Sequence, residues 1–328
     1  VSVSKPRITI VGLGQIGASI GLALRQAEVA SEVVGNDRVR GVAAEAKRLG
    51  AVDRQRWNLV AATEDADLVI LATPVGEIKE TLEVIGQDLR PGCVVVDTAS
   101  LKGPVMSWAA ERLPDGVHFV GGNPILGAVP QAGGGLDSAS ADLFRGGLFC
   151  LMPSPATDAQ AVKLTTDLVA VLGAKPLFLD AAEHDGLLAG VEHLPNILSL
   201  ALMQMLGEQP AWRELRKVAG PALETATQLV TPQMAADSDL YLLNKDNVLR
   251  WLDEFSASLG SIRAILAAGQ SDVLAQRLEG AVLKRAQWLA DRAQGDWQEG
   301  PRPQMPQRAG LFDTLLGGFW RRKPKDKA

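Results

Sequence analysis

From Ile8 to about Cys150, short runs of consecutive apolar residues alternate with stretches whose apolar positions recur at helical spacing. Ile8-Thr9-Ile10-Val11, Glu32-Val33-Val34-Gly35, Asp67-Leu68-Val69-Ile70-Leu71-Ala72, Val94-Val95-Val96-Asp97 and His118-Phe119-Val120-Gly121 read as strands. Gly12 to Ala27 reads as a turn followed by a helix, and Val42 to Leu49 as a short helix charged on one side. Continuous apolar strands separated by helices predict βαβ units and a parallel sheet covered on both faces. Leu148 to Pro153 predicts a sixth strand, Asp158 to Leu172 a helix, and Pro176-Leu177-Phe178-Leu179 a further short strand.

After about Asp180 the pattern changes. Leu187 to Leu206 is apolar around nearly its whole circumference, interrupted by His193-Leu194-Pro195-Asn196. A helix of that kind is buried in a core or in an oligomer interface. Helical patterns continue from Arg213 to Leu229, from Asn247 to Ala268, and from Ser271, placed as an N-cap, to Ala293. Gly295 to Gly310 is rich in Pro, Gly and Gln and reads as a flexible linker. The apolar patch Leu311 to Trp320 and the basic Arg321-Arg322-Lys323 suit a disordered tail, or a segment that docks on a partner or an anionic membrane surface. The expected organisation is an α/β, Rossmann-type doubly wound parallel sheet over residues 1–180, an all-α domain over residues 181–294, and a linker and tail over residues 295–328.

Composition narrows the function classes. A length of 328 residues fits about two domains. With 47% hydrophobic residues the chain is too apolar for a disordered protein, and a net charge of −5 argues against a nucleic-acid binder relying on a global positive field. Cys93 and Cys150 are the only cysteines, which excludes a disulfide scaffold and a Cys-rich zinc site, and three histidines leave little for a His-rich centre; no metal is expected. No uninterrupted apolar run approaches the roughly 20 residues of a membrane span. The first residues enter a strand without signal-peptide features, so a cytoplasmic protein is expected.

The strongest local signal is Gly12-Leu13-Gly14-Gln15-Ile16-Gly17, between an apolar strand and a helix. In that setting Gly12 permits the tight turn, Gly14 lets the backbone approach a diphosphate, and Gly17 lets helix and strand pack closely. The helix N-terminus adds unpaired N–H groups. Asp37 stands 20 residues after Gly17 at the end of the second strand, where a carboxylate accepts hydrogen bonds from an adenosine ribose. It favours NAD, with NADP as the alternative because Arg38 and Arg40 follow. Thr73-Pro74-Val75 ends the next long strand at the carboxyl edge, where ligands of such sheets bind.

Further along come Asp97-Thr98-Ala99-Ser100-Leu101-Lys102, Gly121-Gly122-Asn123-Pro124-Ile125-Leu126-Gly127, His184-Asp185, and Glu192-His193-Leu194-Pro195-Asn196. With the glycine loop and Ala72-Thr73-Pro74, this ordered set resembles the prephenate/arogenate dehydrogenase family of tyrosine biosynthesis, over roughly Arg7 to Ala268. The resemblance implies an NAD(P)-dependent oxidative decarboxylation of prephenate, arogenate or a similar small anion. In it a hydride leaves the ring carbon bearing the hydroxyl, the hydroxyl proton is removed, and carbon dioxide departs. It implies that Ser100 hydrogen-bonds a catalytic imidazole and the substrate hydroxyl, that His193 lines the substrate pocket, and that the helical domain forms a homodimer. Substrate-binding residues are expected at Ser100, Asn123, His193 and Asn196.

Three positions depart from the pattern of that family. Asn123 stands where a proton-accepting His is usual, and Asn cannot take up a proton near neutral pH. Asn196 replaces the second His of a His-Leu-Pro-His motif. The carboxylate-binding Arg expected near Thr225-Ala226 is missing, leaving Arg213, Arg216 and Arg250 as candidates. The expectation is therefore an intact dinucleotide site beside an altered substrate site, with Ser100, Asn123 and His193 as the catalytic candidates. His193 serves there as an acid/base or as a satisfied core histidine. His184 reads as a cap or interdomain hydrogen bond, His118 as structural, Ser100 alternatively as an N-cap, and Lys102 as solvated or as an attractor of anions. A 3-hydroxyacid dehydrogenase or imine reductase would share the architecture, and so would a non-catalytic NAD(H)-binding regulator.

Overall fold

The computed structural model describes residues 5–127, 135–236 and 238–294. Its frame is one sheet of eight strands, β1 (Arg7–Val11), β2 (Glu32–Asn36), β3 (Arg54–Gln55), β4 (Leu68–Leu71), β5 (Val94–Asp97), β6 (His118–Ile125), β7 (Leu148–Pro153) and β8 (Lys175–Phe178), in the order β3-β2-β1-β4-β5-β6-β7-β8. The helices between them are α1 (Gln15–Gln26), α2 (Arg40–Arg48), α3 (Leu59–Thr63), α4 (Val75–Ile85), α5 (Gly103–Arg112) and α6 (Ala159–Val171).

The apolar runs become strands because alternate side chains feed two separate cores. Ile8, Ile10, Leu68, Ile70, Val94 and Val96 enter one core, against α1 and α6. Val11, Val69, Leu71 and Val95 enter the other, against α4 and α5. The strand order reverses between β1 and β4, and their carboxyl ends leave a crevice at that switch point, the usual ligand position of such sheets.

Two details differ from the sequence expectation. The sheet is parallel except at β6–β7, which pair antiparallel with Asn123 opposite Cys150. Among the described residues the connection between them holds a single 3-10 turn, Leu136–Ser138, and antiparallel neighbours need no crossover helix. The edge strand β3 is only Arg54-Gln55, too short and polar to show in a hydrophobicity pattern.

After β8 the chain is helical: α7 (Ala181–Leu188), a π-helical turn (Ala189–His193), α8 (Leu194–Gly207), α9 (Trp212–Val218), α10 (Pro221–Thr227), α11 (Pro232–Ala236), α12 (Ser238–Leu243), α13 (Lys245–Ala267) and α14 (Ser271–Gln294). Asp180 caps α7, its Oδ1 accepting from the Ala182 N–H at 2.8 Å. The single helix expected from Arg213 to Leu229 is broken, because Gly220 leaves the helical region and Pro221 restarts the chain at an N-terminal position. The interruption expected at His193 to Asn196 is instead continuous: the π-helical turn Ala189–His193 leads directly into α8, with Pro195 at its second position. Ala181–Gly207 is thereby one stretch long and apolar enough to cross a membrane by length and composition, contrary to the expectation that none would be. Its His184, Asp185 and His193 are nevertheless buried in polar contacts with β6, α5 and α13.

The residues up to Ala281 pack as one compact unit, and a second begins at Val282. The expected linker and tail lie outside the described residues.

Candidate active site

The glycine loop is shaped by contacts that exclude a side chain. Gly12 has φ +90, and a Cβ there would lie 2.4 Å from the Ala72 carbonyl oxygen. A Cβ on Gly17 would lie 1.9 Å from the Gly12 oxygen, so these two glycines let β1, β4 and α1 close on one another. Gly14 differs: a Cβ there would meet nothing within 4 Å. It faces a cleft of about 750 Å³, together with Gly12, Gln15, Ile16, Asp37 and Arg38. α1 carries no acidic residue in its first turn, whose N–H groups lack intrahelical acceptors, which suits an anion.

Asp37 lines the same cleft. Its Oδ2 accepts from the Leu13 N–H at 2.8 Å and its Oδ1 from the Val39 N–H at 2.8 Å, so the loop itself orients the carboxylate. The N–H of Leu13 is therefore engaged, and its side chain is fully buried; Leu13 and Gly17 shape the loop and do not line the cleft. Arg38 is ion-paired with Glu77 of α4, and the guanidinium of Arg40 stacks over the Trp57 ring at 5.1 Å. Both cations are thus partly committed, while the carboxylate of Asp37 lines the cleft wall.

Thr73, Pro74 and Val75 also line the cleft, where β4 gives way to α4. Thr73 Oγ1 is buried and has no protein partner, a polar atom left over for a ligand. The cradle at Gly14 and this unpartnered hydroxyl fit a bound dinucleotide. Asn36 also lines the cleft, with its Nδ2 donating to the Arg56 carbonyl at 2.8 Å; no sequence pattern singled it out.

Ser100 and Asn123 line the same cleft. Beneath them is a polar cluster whose members are far apart in sequence. Lys102 is 0% exposed; its Nζ is ion-paired with Asp97 and donates to the Gly122 carbonyl at 2.8 Å. Burial pushes its ammonium pKa down, and the Asp97 carboxylate opposes that shift. The expectation of a solvated Lys102 is therefore wrong: its role is to neutralise Asp97, whose Oδ1 also accepts from the Gly122 N–H at 3.0 Å. This explains Gly121-Gly122, because a Cβ on Gly122 would lie 2.4 Å from the Asp97 carbonyl oxygen.

Asn123, held by that strand, places its Nδ2 at 3.0 Å from His184 Nε2. His184 Nδ1 lies 2.9 Å from Asp185 Oδ1. Asp185 also accepts from the N–H groups of Lys102 and Gly103, each at 2.7 Å, and so caps α5 from α7. Ser100 is consequently not the cap of α5, and His184 joins α7 to β6 rather than capping a helix.

His193 and Asn196 do not line the cleft; among 189–196 the lining residue is Glu192. The π-helical turn inserts an extra residue into the helix and changes which side chain faces the sheet. His193 is fully buried, with Nδ1 at 3.3 Å from Asn244 Nδ2, its ring edge-on to Tyr241, and Nε2 without a partner. Burial lowers its pKa to about 4, against the pull of Asp185 in the opposite direction. The three candidate anion clamps also lie away from the cleft. Arg213 and Arg216 are exposed on α9, and Arg250 stacks over Trp251 on α13. Arg38 is the one Lys or Arg among the described residues that line the cleft. Burial pushes the thiols of Cys93 and Cys150 up to about 12 and about 11, so neither is a nucleophile near neutral pH. Among the described residues no group of three His, Cys, Asp or Glu side chains is placed to hold a metal ion.

Comparison with known proteins agrees with this architecture. Residues 20–177 match the family described as prephenate dehydrogenase, nucleotide-binding domain, and residues 180–280 the one described as prephenate dehydrogenase, dimerization domain. The chain is 29% identical to the prephenate dehydrogenase of Bacillus subtilis, over 79% of this chain and 70% of that one. It is 30% identical to the prephenate dehydrogenase of Lactococcus lactis, over 78% and 70%. The crystal structure of prephenate dehydrogenase from A. aeolicus, in complex with hydroxyphenyl propionate and NAD+, superposes with a TM-score of 0.79 at 25% identity, covering 88% of this chain and 99% of that one. A nucleotide cleft at the switch point, a helical half that contributes Glu192 and Leu240 to its wall, and matches running through both halves lead to one conclusion: the chain belongs to the prephenate dehydrogenase family.

Proposed function

We propose that this chain catalyses the NAD-dependent oxidative decarboxylation of prephenate or arogenate, in the cytoplasm, with the reaction at the end of the cleft lined by Ser100 and Asn123. The bound nucleotide supplies the hydride acceptor. Gly14 and the first turn of α1 hold its diphosphate, and Asp37 takes the ribose hydroxyls of the adenosine. Thr73, Pro74 and Val75 flank the nicotinamide and keep water from it. Ser100 and Asn123 hydrogen-bond the substrate hydroxyl and fix the carbinol carbon toward the nicotinamide. His193 and Asn196 support the helical wall from behind, and Glu192 faces the substrate.

The boundary between nucleotide-binding and helical parts falls near residue 180 in this reading, where β8 ends and Asp180 caps α7. The helical part also serves dimerisation. Leu200 and Met205 on α8, with Leu249, Leu259 and Leu266 on α13, are 41–60% exposed in the single chain, and burying such side chains is favourable.

The single observation that carries the reading is that Ser100 and Asn123 line the same cleft as Gly14 and Asp37. The test is a turnover assay with prephenate and with arogenate, each against NAD and NADP, following nucleotide reduction and carbon dioxide release together. Equal release of both products is the expected result, faster with NAD. Absence of turnover with both substrates overturns the proposal.

A further inference from the structure

Asn123 touches the space where the substrate hydroxyl must sit, yet an amide has no basic atom near neutral pH. Directly behind it lies an Asp-His pair, fully enclosed. The direction of each hydrogen bond follows from chemistry. A carboxylate only accepts, so the proton of the neutral His184 ring sits on Nδ1, facing Asp185. Nε2 is then an acceptor, and the Nδ2 group of Asn123, 3.0 Å away, donates to it. The amide is thereby fixed with its Oδ1 as the remaining acceptor.

We infer that Asn123, His184 and Asp185 act as one unit, in which the Asn123 oxygen receives the substrate hydroxyl and the His184–Asp185 pair stores its proton during the reaction. This rests on the reaction proposed above and assigns its missing base. As the carbinol C–H electron pair leaves as hydride to the nicotinamide, the hydroxyl O–H bond breaks and its proton moves to Asn123 Oδ1. In the same motion an Nδ2–H bond breaks and that proton moves to His184 Nε2. Asn123 becomes the imidic acid and His184 the imidazolium paired with Asp185, while the substrate carbinol becomes a ketone. When the ring carboxylate departs as carbon dioxide, its bonding electron pair aromatises the ring and the ketone oxygen becomes a phenoxide. The proton then returns by the reverse path, which restores the amide and gives the phenol. No proton is lost or gained overall, so an enclosed store needs no exchange with water.

Neighbouring contacts hold this unit in place. Lys102 and Asp97 hold Gly122, and hence the strand position of Asn123, while the N–H groups of Lys102 and Gly103 fix the Asp185 carboxylate. His184 is a positioning residue that also holds the proton; Asn123 is the group that touches substrate. Of the titratable groups, Asp185 on its own helix bonds His184 directly and His193 from the π-helical turn acts on it electrostatically, while Lys102 reaches it only through Asp185, to which its N–H donates.

Two measurements test this on the full chain. The first is 15N NMR of histidine-labelled protein, without substrate. A ring protonated at Nδ1 and bare at Nε2 is expected for His184; a proton on Nε2 reverses the amide and overturns the inference. The second is kinetics of His184→Gln, whose side-chain oxygen still accepts from Asn123 but cannot take a proton. A fall in kcat of about 100- to 10,000-fold is expected, with unchanged NAD affinity. Adding Asn123→His supplies a direct base, so the double variant should recover much of that loss. If His184→Gln keeps kcat near that of the parent, or if the added Asn123→His recovers none of a loss, the proton goes elsewhere and the inference fails. If the parent turns over neither substrate, the reaction assignment fails, while the NMR result still judges the hydrogen-bond polarity.

Discussion

The two ends of the cleft are made differently. At the proposed nucleotide end the parts are mostly backbone, a glycine loop and a helix N-terminus, with one side-chain carboxylate oriented by the Leu13 N–H. At the proposed substrate end they are side chains from β5, β6 and α7 and from Lys102 before α5, linked through Asp97, Lys102, Asn123, His184 and Asp185. A backbone site tolerates almost any side chain that leaves its path free, whereas a buried side-chain network fails when one member is removed. Stability and chemistry are therefore joined at the substrate end and separable at the nucleotide end.

The largest expected effect tests that difference directly. Lys102→Met leaves Asp97 buried without its cation, and breaking a buried pair from one side costs about 3–5 kcal/mol. Urea denaturation should show that loss, with NAD affinity of the folded protein near the parent's. Pairing the change with Asp97→Asn should cost less than the sum of the two single changes, because the unpaired charge is then gone. A Lys102→Met protein as stable as the parent would show that the network is not the structural base of this end.

Next in size is a pH effect confined to the helical wall. His193 takes up a proton near pH 6.5 when unfolded and only near pH 4 when folded. Its contribution is therefore present above about pH 6.5 and is lost as pH falls toward about 4, where unfolding gains a proton that folding refuses. The interval corresponds to about 3 kcal/mol. Unfolding free energies of the parent and His193→Leu, measured from pH 7 to pH 4, should differ by a slope of that sign. Equal slopes would mean that His193 takes up its proton alike in the folded and unfolded protein.

Why one end was legible and the other was not follows from the same contrast. Gly12, Gly14, Gly17 and Asp37 lie within 26 consecutive residues and act through spacing, which a sequence displays directly. The doubly wound sheet was legible for a similar reason, since each buried strand is a local apolar run; only the polar two-residue β3 and the reversal at β7 escaped. His184 stands 61 residues from Asn123, and Asp185 stands 83 from Lys102. No local pattern joins them, so Lys102 reads as a solvated lysine or an attractor of anions, and His184 as a cap or interdomain hydrogen bond, until the fold brings them together. His193 stood out for its place in an apolar helix. The π-helical turn that turns Glu192 to the cleft instead leaves no trace in composition.

Within the nucleotide end, the glycines themselves separate packing from binding. Gly17→Ala puts a methyl carbon 1.9 Å from the Gly12 oxygen, so backbone must move; overpacking of this kind costs about 1–3 kcal/mol and should weaken NAD binding as the loop shifts. A melting temperature and an NAD affinity that both match the parent's would show that α1 can withdraw freely.

Gly14→Ala is the smallest expected change and the most discriminating. Gly14 has φ −69 and ψ −163, a conformation alanine adopts without strain, and its added methyl would touch no protein atom within 4 Å. The folded chain should register it only through the roughly 0.5 kcal/mol by which alanine is a poorer N-cap than glycine. The methyl would nonetheless project into the cleft where the proposed diphosphate approaches the first turn of α1. NAD should then bind about tenfold more weakly, or about 1.4 kcal/mol, at nearly constant melting temperature. Differential scanning calorimetry and a fluorescence titration on the same sample give both quantities. Unchanged affinity would place the diphosphate elsewhere and remove the physical reason for glycine at this position, whereas lower affinity with lower stability would mean that packing and binding are joined at this end as well.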